Sequence, residues 1–124
     1  MCPKDSEPPS SAHYLVVVHD GVVLSDLAQT IAEFDPAAPV IAVTSPSEAL
    51  RKIDSAARLA VAFIEMSPSR FAGSALAAAI AARRGRVIYL GDAAEDEADT
   101  VGAHLVLQRP FTPDIVFRYL ALLT

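Results

Sequence analysis

The 124-residue chain contains no tryptophan, and aromatic residues make up only 6% of it although 52% of its residues are hydrophobic. Any core must therefore be aliphatic, and so large an apolar share excludes a disordered polymer. There is one cysteine, Cys2, so no disulfide within the chain holds a fold together, which fits a reducing, cytoplasmic setting. Long hydrophobic runs are missing too. The longest, Ala75 to Ala82, is mostly alanine and far short of the roughly 18 to 20 residues that span a bilayer, so no membrane contact of that kind is expected. Positive charge is scarce: ten lysines and arginines against fifteen acids leave a net charge of −5, the wrong sign for gripping nucleic acid or an anionic lipid surface.

What remains is a 13.1 kDa chain with material for one good core. Residues 1–12 hold three of the nine prolines together with Lys4, Asp5, Ser6 and Glu7, and show no apolar stretch of the signal-peptide kind. We expect them to be a flexible polar tail, with residues 13–124 forming the domain.

From His13 onward, short apolar runs alternate with longer periodic segments. Tyr14 to Val18 is rich in β-branched residues and lacks polar alternation, the signature of a strand buried on both faces. Similar runs occur at Val40 to Val43, Leu59 to Ile64, Val87 to Leu90 and, more weakly, Leu105 to Gln108. Between the first two, Val23, Leu24, Leu27, Ala28, Ile31 and Phe34 repeat at helical spacing until Asp35-Pro36 stops them. Ser47 is expected to cap a second helix, Gly73 to Arg84 to form a third closed by Gly85, and Asp92 to Val101 a short fourth. Thr112-Pro113-Asp114 predicts the start of a fifth, running to about Leu122, with a threonine cap, a proline in the first turn and an acid facing the positive end of the helix. Five strand–helix alternations predict a parallel α/β sheet with helices on both faces.

Sheets of this kind work at the carboxyl ends of their strands. The residues falling there are His19-Asp20-Gly21, Thr44-Ser45, Glu65-Met66-Ser67, Gly91-Asp92 and Arg109-Pro110-Phe111. With Gly102-Ala103 leading into Arg109-Pro110-Phe111-Thr112-Pro113, and with Ser45-Pro46-Ser47-Glu48-Ala49-Leu50 opening the second helix, the chain resembles the receiver domain of two-component response regulators from His13 onward. The resemblance implies a three-layer, flavodoxin-like (βα)5 fold, a doubly wound sheet of five parallel strands in the order 2-1-3-4-5. It also implies a signalling role in a two-component or phosphorelay pathway.

The departures from that pattern bear on mechanism. The resemblance implies an acidic pair where this chain has His19-Asp20, a phosphoaccepting Asp where it has Glu65, a hydroxyl where it has Gly91, and a Lys where it has Arg109. It also implies a switch aromatic where Val106 stands. Asp20 and Glu65 are the residues that would hold a Mg²⁺, but the imidazole of His19 is a poor exchange for a hard oxygen ligand, so only weak Mg²⁺ binding is expected and no other cofactor. The extra methylene of Glu65 carries its carboxylate roughly 1.5 Å further from the backbone. A misplacement of about 1 Å costs on the order of a hundredfold in rate, so phosphoryl transfer to Glu65 should be poor. The planar fork of Arg109 suits a carboxylate, and we expect a Glu65–Arg109 ion pair in the pocket. Since the corresponding Lys-Pro bond of receivers is typically cis, the resemblance implies the same for Arg109-Pro110.

Each of these residues also has a plainer reading. His19 can be a polar strand end bonded to backbone, Glu65 a surface acid, and the acids Asp92, Glu95, Asp96, Glu97 and Asp99 a solvated helix face. The alanines from Ala72 to Ala82 can simply let a helix lie close to its own sheet. The last helix stands out, since Ile115, Val116, Phe117, Tyr119, Leu120, Leu122 and Leu123 leave little room for a polar stripe. Receivers commonly dimerise or dock partners through the fourth helix, fifth strand and fifth helix, so Ile115, Phe117, Tyr119 and Leu122 are the expected interface, toward a histidine kinase, an output protein or a second copy.

The expectation is thus a non-enzymatic receiver-like module that works by protein contact without phosphorylation. The alternatives are a true phosphoacceptor using an atypical acid, and a small flavodoxin-like cofactor-binding protein. Against the last stands the apolar loop Asp20-Gly21-Val22-Val23-Leu24, whose carboxylate repels phosphate.

Overall fold

The computed structural model describes residues 12–95, 105–108 and 111–124. Strands β1 (His13–Val17), β2 (Val40–Val43), β3 (Leu59–Glu65), β4 (Arg86–Leu90) and β5 (Leu105–Leu107) pair in parallel, in the order β2-β1-β3-β4-β5. This is the flavodoxin-like order the resemblance implies. Every residue from Tyr14 to Val18 and from Val61 to Ile64 is buried, which explains why these runs lack polar alternation: both faces of the sheet are covered.

The two faces bury separate clusters. On one, Tyr14, Val16, Phe63, Ile88 and Leu107 meet Leu27 and Ile31 of α1 (Gly21–Phe34) and Val116 and Leu120 of α5 (Pro113–Leu123). On the other, Leu15, Val17, Ala62, Ile64, Tyr89 and Val106 meet α2 (Pro46–Lys52), α3 (Pro68–Ala72) and α4 (Ala75–Ala82) through Ala49, Phe71, Leu76 and Ile80. Each fully buried leucine or isoleucine contributes about 1.5–3 kcal/mol, and Tyr14 and Phe63, the largest fully buried side chains, add aromatic volume to a core that is otherwise mainly aliphatic.

The ends of the helices follow from local chemistry. Thr112 caps α5 by accepting from the Ile115 N–H at 3.4 Å, with Pro113 in the first turn as expected. The cap of α2 is Ser45, two residues before the serine expected, because Pro46 fits the first helical turn and Ser45 Oγ accepts from the Glu48 N–H at 3.2 Å. The third predicted helix, Gly73 to Arg84, forms as α4, and a short helix that was not predicted, α3, precedes it. Ser67 caps the short α3, Gly73 ends it, and Ser74 caps α4 by accepting from the Ala77 N–H at 3.1 Å. Pattern reading missed α3 because five residues carry too little periodicity. Residues 92–95 are helical; the remainder of the predicted fourth helix lies outside the described residues.

The end of α4 carries an exception. The Gly85 N–H donates to the Ile80 carbonyl and the Arg84 N–H to the Ala81 carbonyl, which is the Schellman closure. The left-handed position of that closure usually falls to glycine, but here Arg84 holds it at φ 61°. Gly85 is needed one residue later, where a Cβ would come within 2.9 Å of Ile80 Cγ2 and 3.0 Å of Leu59 Cβ. Among the described residues no helix is long and apolar enough to cross a membrane.

Candidate functional site

The carboxyl ends of β1, β3 and β4 meet at one edge of the sheet, where parallel pairing sets Val17 beside Ile64 and Glu65 beside Leu90. Immediately beyond Glu65 the chain turns tightly, with the Met66 N–H donating to the Ile64 carbonyl at 3.1 Å. Ser67, the one polar residue among the described buried positions, then caps α3.

Glu65 is the centre of the arrangement. Its Oε1 accepts from the main-chain N–H of His19 at 2.6 Å, a charge-assisted bond that ties the end of β3 to the loop after β1. On the other side the stem of Glu65 lies against Gly91. A Cβ on residue 91 would sit 2.9 Å from Glu65 Cγ and 3.5 Å from Oε2, and the backbone of Gly91 has φ 100°, a conformation that L side chains rarely adopt. Two departures that looked independent in the sequence are therefore coupled. The glycine just past β4 provides the space into which the Glu65 stem at the end of β3 folds.

The Asp20 carboxylate works locally. Its Oδ1 accepts from the N–H groups of Val22 at 2.8 Å and Val23 at 3.3 Å, so it is the N-cap of α1, with its charge at the positive end of the helix. This role was legible in Asp20-Gly21 followed by an apolar helical pattern, and sequence reading assigned the residue only to the pocket. His19 enters the site through its main chain; the residue itself is exposed. As donors for Mg²⁺ the site offers two carboxylates, each with one oxygen already engaged by main-chain N–H groups. Among the described residues no group of three or more His, Cys, Asp or Glu side chains comes together. The set fits Mg²⁺ poorly.

Arg109 and the Arg109-Pro110 bond lie outside the described residues, as do Asp96, Glu97 and Asp99, so the Glu65–Arg109 pair and the cis bond are not placed. Val106 is buried on β5 directly beside Tyr89 of β4, and the Tyr89 ring meets Phe71 edge-on at 5.7 Å. Val106 thus shares its layer of the sheet with an aromatic from the neighbouring strand.

The four expected interface residues do not form one exposed face. Ile115 and Tyr119 pack against the cluster under α1 and α5, and Phe117 contacts the Phe34 ring at 5.6 Å. Only Leu122 is left largely in solvent, at 70% exposure. The apolar excess of α5 is mostly absorbed by α1, a neighbour that helical periodicity within α5 alone does not show.

No protein-family model matches the sequence, and no curated protein sequence does. Solved structures do match the fold. A response regulator receiver protein from Sinorhizobium medicae WSM419 superposes with a TM-score of 0.66 at 21% identity, covering 90% of this chain and 93% of its own. The chemotaxis protein CheY4 of Vibrio cholerae gives 0.66 at 19% identity, over 91% and 98% of the two chains. SdrG from Sphingomonas melonis Fr1 gives 0.62 at 21% identity, over 94% and 98%. The described residues have the receiver fold.

Proposed function

We propose that this protein is a receiver-like signalling module of the two-component or phosphorelay type, acting in the cytoplasm by protein contact rather than as an enzyme. Its strand-end pocket is held by Glu65 instead of by a phosphoryl group. The observation that carries the reading is the Glu65 carboxylate bonded to the His19 N–H, with its stem in the space opened by Gly91. A fixed negative charge at the end of β3 is a standing substitute for an added one. The absence of a hydroxyl on residue 91 removes the group that would respond to a change there. A switch built this way moves only in response to a partner that binds its two states with different affinity. A histidine kinase or an output protein is that partner in this reading.

The contact surface we propose is the side formed by β5 and α5, where Leu105 and Leu122 are exposed and Ile115, Phe117 and Tyr119 remain half-buried. A second copy of the chain is a further occupant, tested by sedimentation of Leu122→Glu. That variant leaves the Phe34–Phe117 contact intact, so loss of association would report on the surface and not on folding.

Incubation with acetyl phosphate and Mg²⁺ followed by intact-mass measurement tests the central point. The expected spectrum is that of the unmodified chain. A stable phosphoryl adduct on Glu65 or Asp20 would instead make the protein a phosphoacceptor.

A further inference from the structure

The amino-terminal ends of the strands, at the opposite end of the sheet from Glu65, border a cavity of about 690 Å³. Three arginines line it: Arg58 just before β3, Arg84 just after α4, and Arg86 at the start of β4. In a chain of net charge −5, such a concentration of positive charge is against the average. Among the described residues none of the three has an ion-pair partner, whereas the neighbouring Arg83 donates to the carbonyls of Ala56 and Ala79 and pairs with Asp54. Among the described residues the only acidic side chain in the lining, Asp35, is engaged by the Tyr14 hydroxyl at 3.2 Å. Burial together with Asp35 pushes the Tyr14 phenol up to about 12, so it stays protonated and keeps donating. Leu59 and Leu123 supply an apolar floor.

Arg84 gives a second, independent observation. It occupies the left-handed position that closes α4, where glycine is the unstrained choice. A residue kept in a costly backbone conformation at the rim of a cavity is a pointer to function, provided its side chain has something to do there.

We propose that this cavity binds a phosphate-bearing small molecule of nucleotide size. Guanidinium forks match phosphate oxygens in pairs, and the volume lies within the range of small-molecule sites. Asp35 is placed to accept from a hydroxyl or amino group on the remainder of the ligand. The proposal does not depend on the signalling reading, because the cavity and the Glu65 site lie at opposite ends of the strands.

Calorimetric titration of the full chain at low salt without Mg²⁺, using ATP and inorganic pyrophosphate as probes, tests it. Both should bind, and Arg86→Gln should lower the affinity by about tenfold or more, as loss of a charge-assisted pair of hydrogen bonds does. Arg84→Gly should weaken binding similarly while raising the melting temperature, which separates lost contact from lost folding. Tighter binding of ATP than of pyrophosphate would show that the whole nucleotide is read, and equal binding that the phosphate group alone is. Arg51→Gln, an exposed change on α2, should leave affinity unaltered. No binding of either probe at millimolar concentration would overturn the proposal. So would Arg84→Gly and Arg86→Gln binding like the unaltered protein, or Arg51→Gln weakening binding as much as they do.

Discussion

Replacing Gly91 with alanine puts the coupling between β3 and β4 to a quantitative test. At φ 100° an L residue is strained by roughly 1–2 kcal/mol. The new Cβ would also lie 2.9 Å from Glu65 Cγ, so the Glu65 stem has to move and its bond to the His19 N–H is lost or weakened. A hydrogen bond to a charged acceptor contributes about 1.5–3 kcal/mol, and partial exposure places this one near the lower end. Gly91→Ala should therefore cost about 2–4 kcal/mol in total. With Glu65→Ala already present there is no Cγ to meet and no bond to lose, so the same glycine change should cost only the backbone part, about 1–2 kcal/mol. Urea unfolding of the four proteins, followed by circular dichroism, gives the coupling energy directly, expected at about 1–2 kcal/mol. Additive single changes would refute the argument that Gly91 exists to make room for Glu65.

Three further outcomes follow from the same structure. Asp20→Ala should lose about 1 kcal/mol of stability, whereas Asp20→Asn, which caps equally well, should lose little; a large loss in Asn measured by the same unfolding would mean the charge has another task. Arg84→Gly should gain about 1 kcal/mol by relieving the left-handed residue, seen as a melting temperature higher by a few degrees, while Gly85→Ala should lose about 1–3 kcal/mol by pressing on Ile80 and Leu59. The Tyr14 phenol is raised from 10.0 to about 12 in the fold, first by burial and then by Asp35, so its contribution is complete below pH 10 and is lost as the pH climbs toward 12; Tyr14→Phe should flatten that part of an alkaline unfolding profile, although the raised Tyr89 phenol keeps some slope.

The sheet was legible because its cause is local and repeated. Runs such as Tyr14 to Val18 have no polar alternation only when both faces are covered, and a parallel sheet between helices is the ordinary way to cover them. Boundaries were less legible where two signals competed. Ser45 and Ser47 are both acceptable caps, and Pro46 decides between them through its fixed φ, which selects the first turn. Of the candidate site, the positions were readable and the contacts were not. His19, Glu65 and Gly91 could be placed at strand ends by counting, but the bond from Glu65 reaches the main chain of His19, and no side-chain identity encodes that. The positive φ of Gly91 has the same character, since a glycine at a strand end is equally compatible with an ordinary turn. The arginine cavity was missed for a different reason: Arg58 precedes β3 whereas Arg84 and Arg86 lead into β4, and the two groups meet only because β3 and β4 are neighbours, with Val61 beside Arg86.

That Glu65 already fills the role of an added phosphoryl group is tested most directly by amide spectra of the isotope-labelled chain. The His19 amide should resonate far downfield because it donates to a carboxylate at 2.6 Å, and it should return toward ordinary values in Glu65→Ala. Addition of acetyl phosphate with Mg²⁺ should leave the His19 and Gly91 amides where they are. If those two amides move on addition of the phosphodonor, the pocket is open to phosphorylation and the account is wrong.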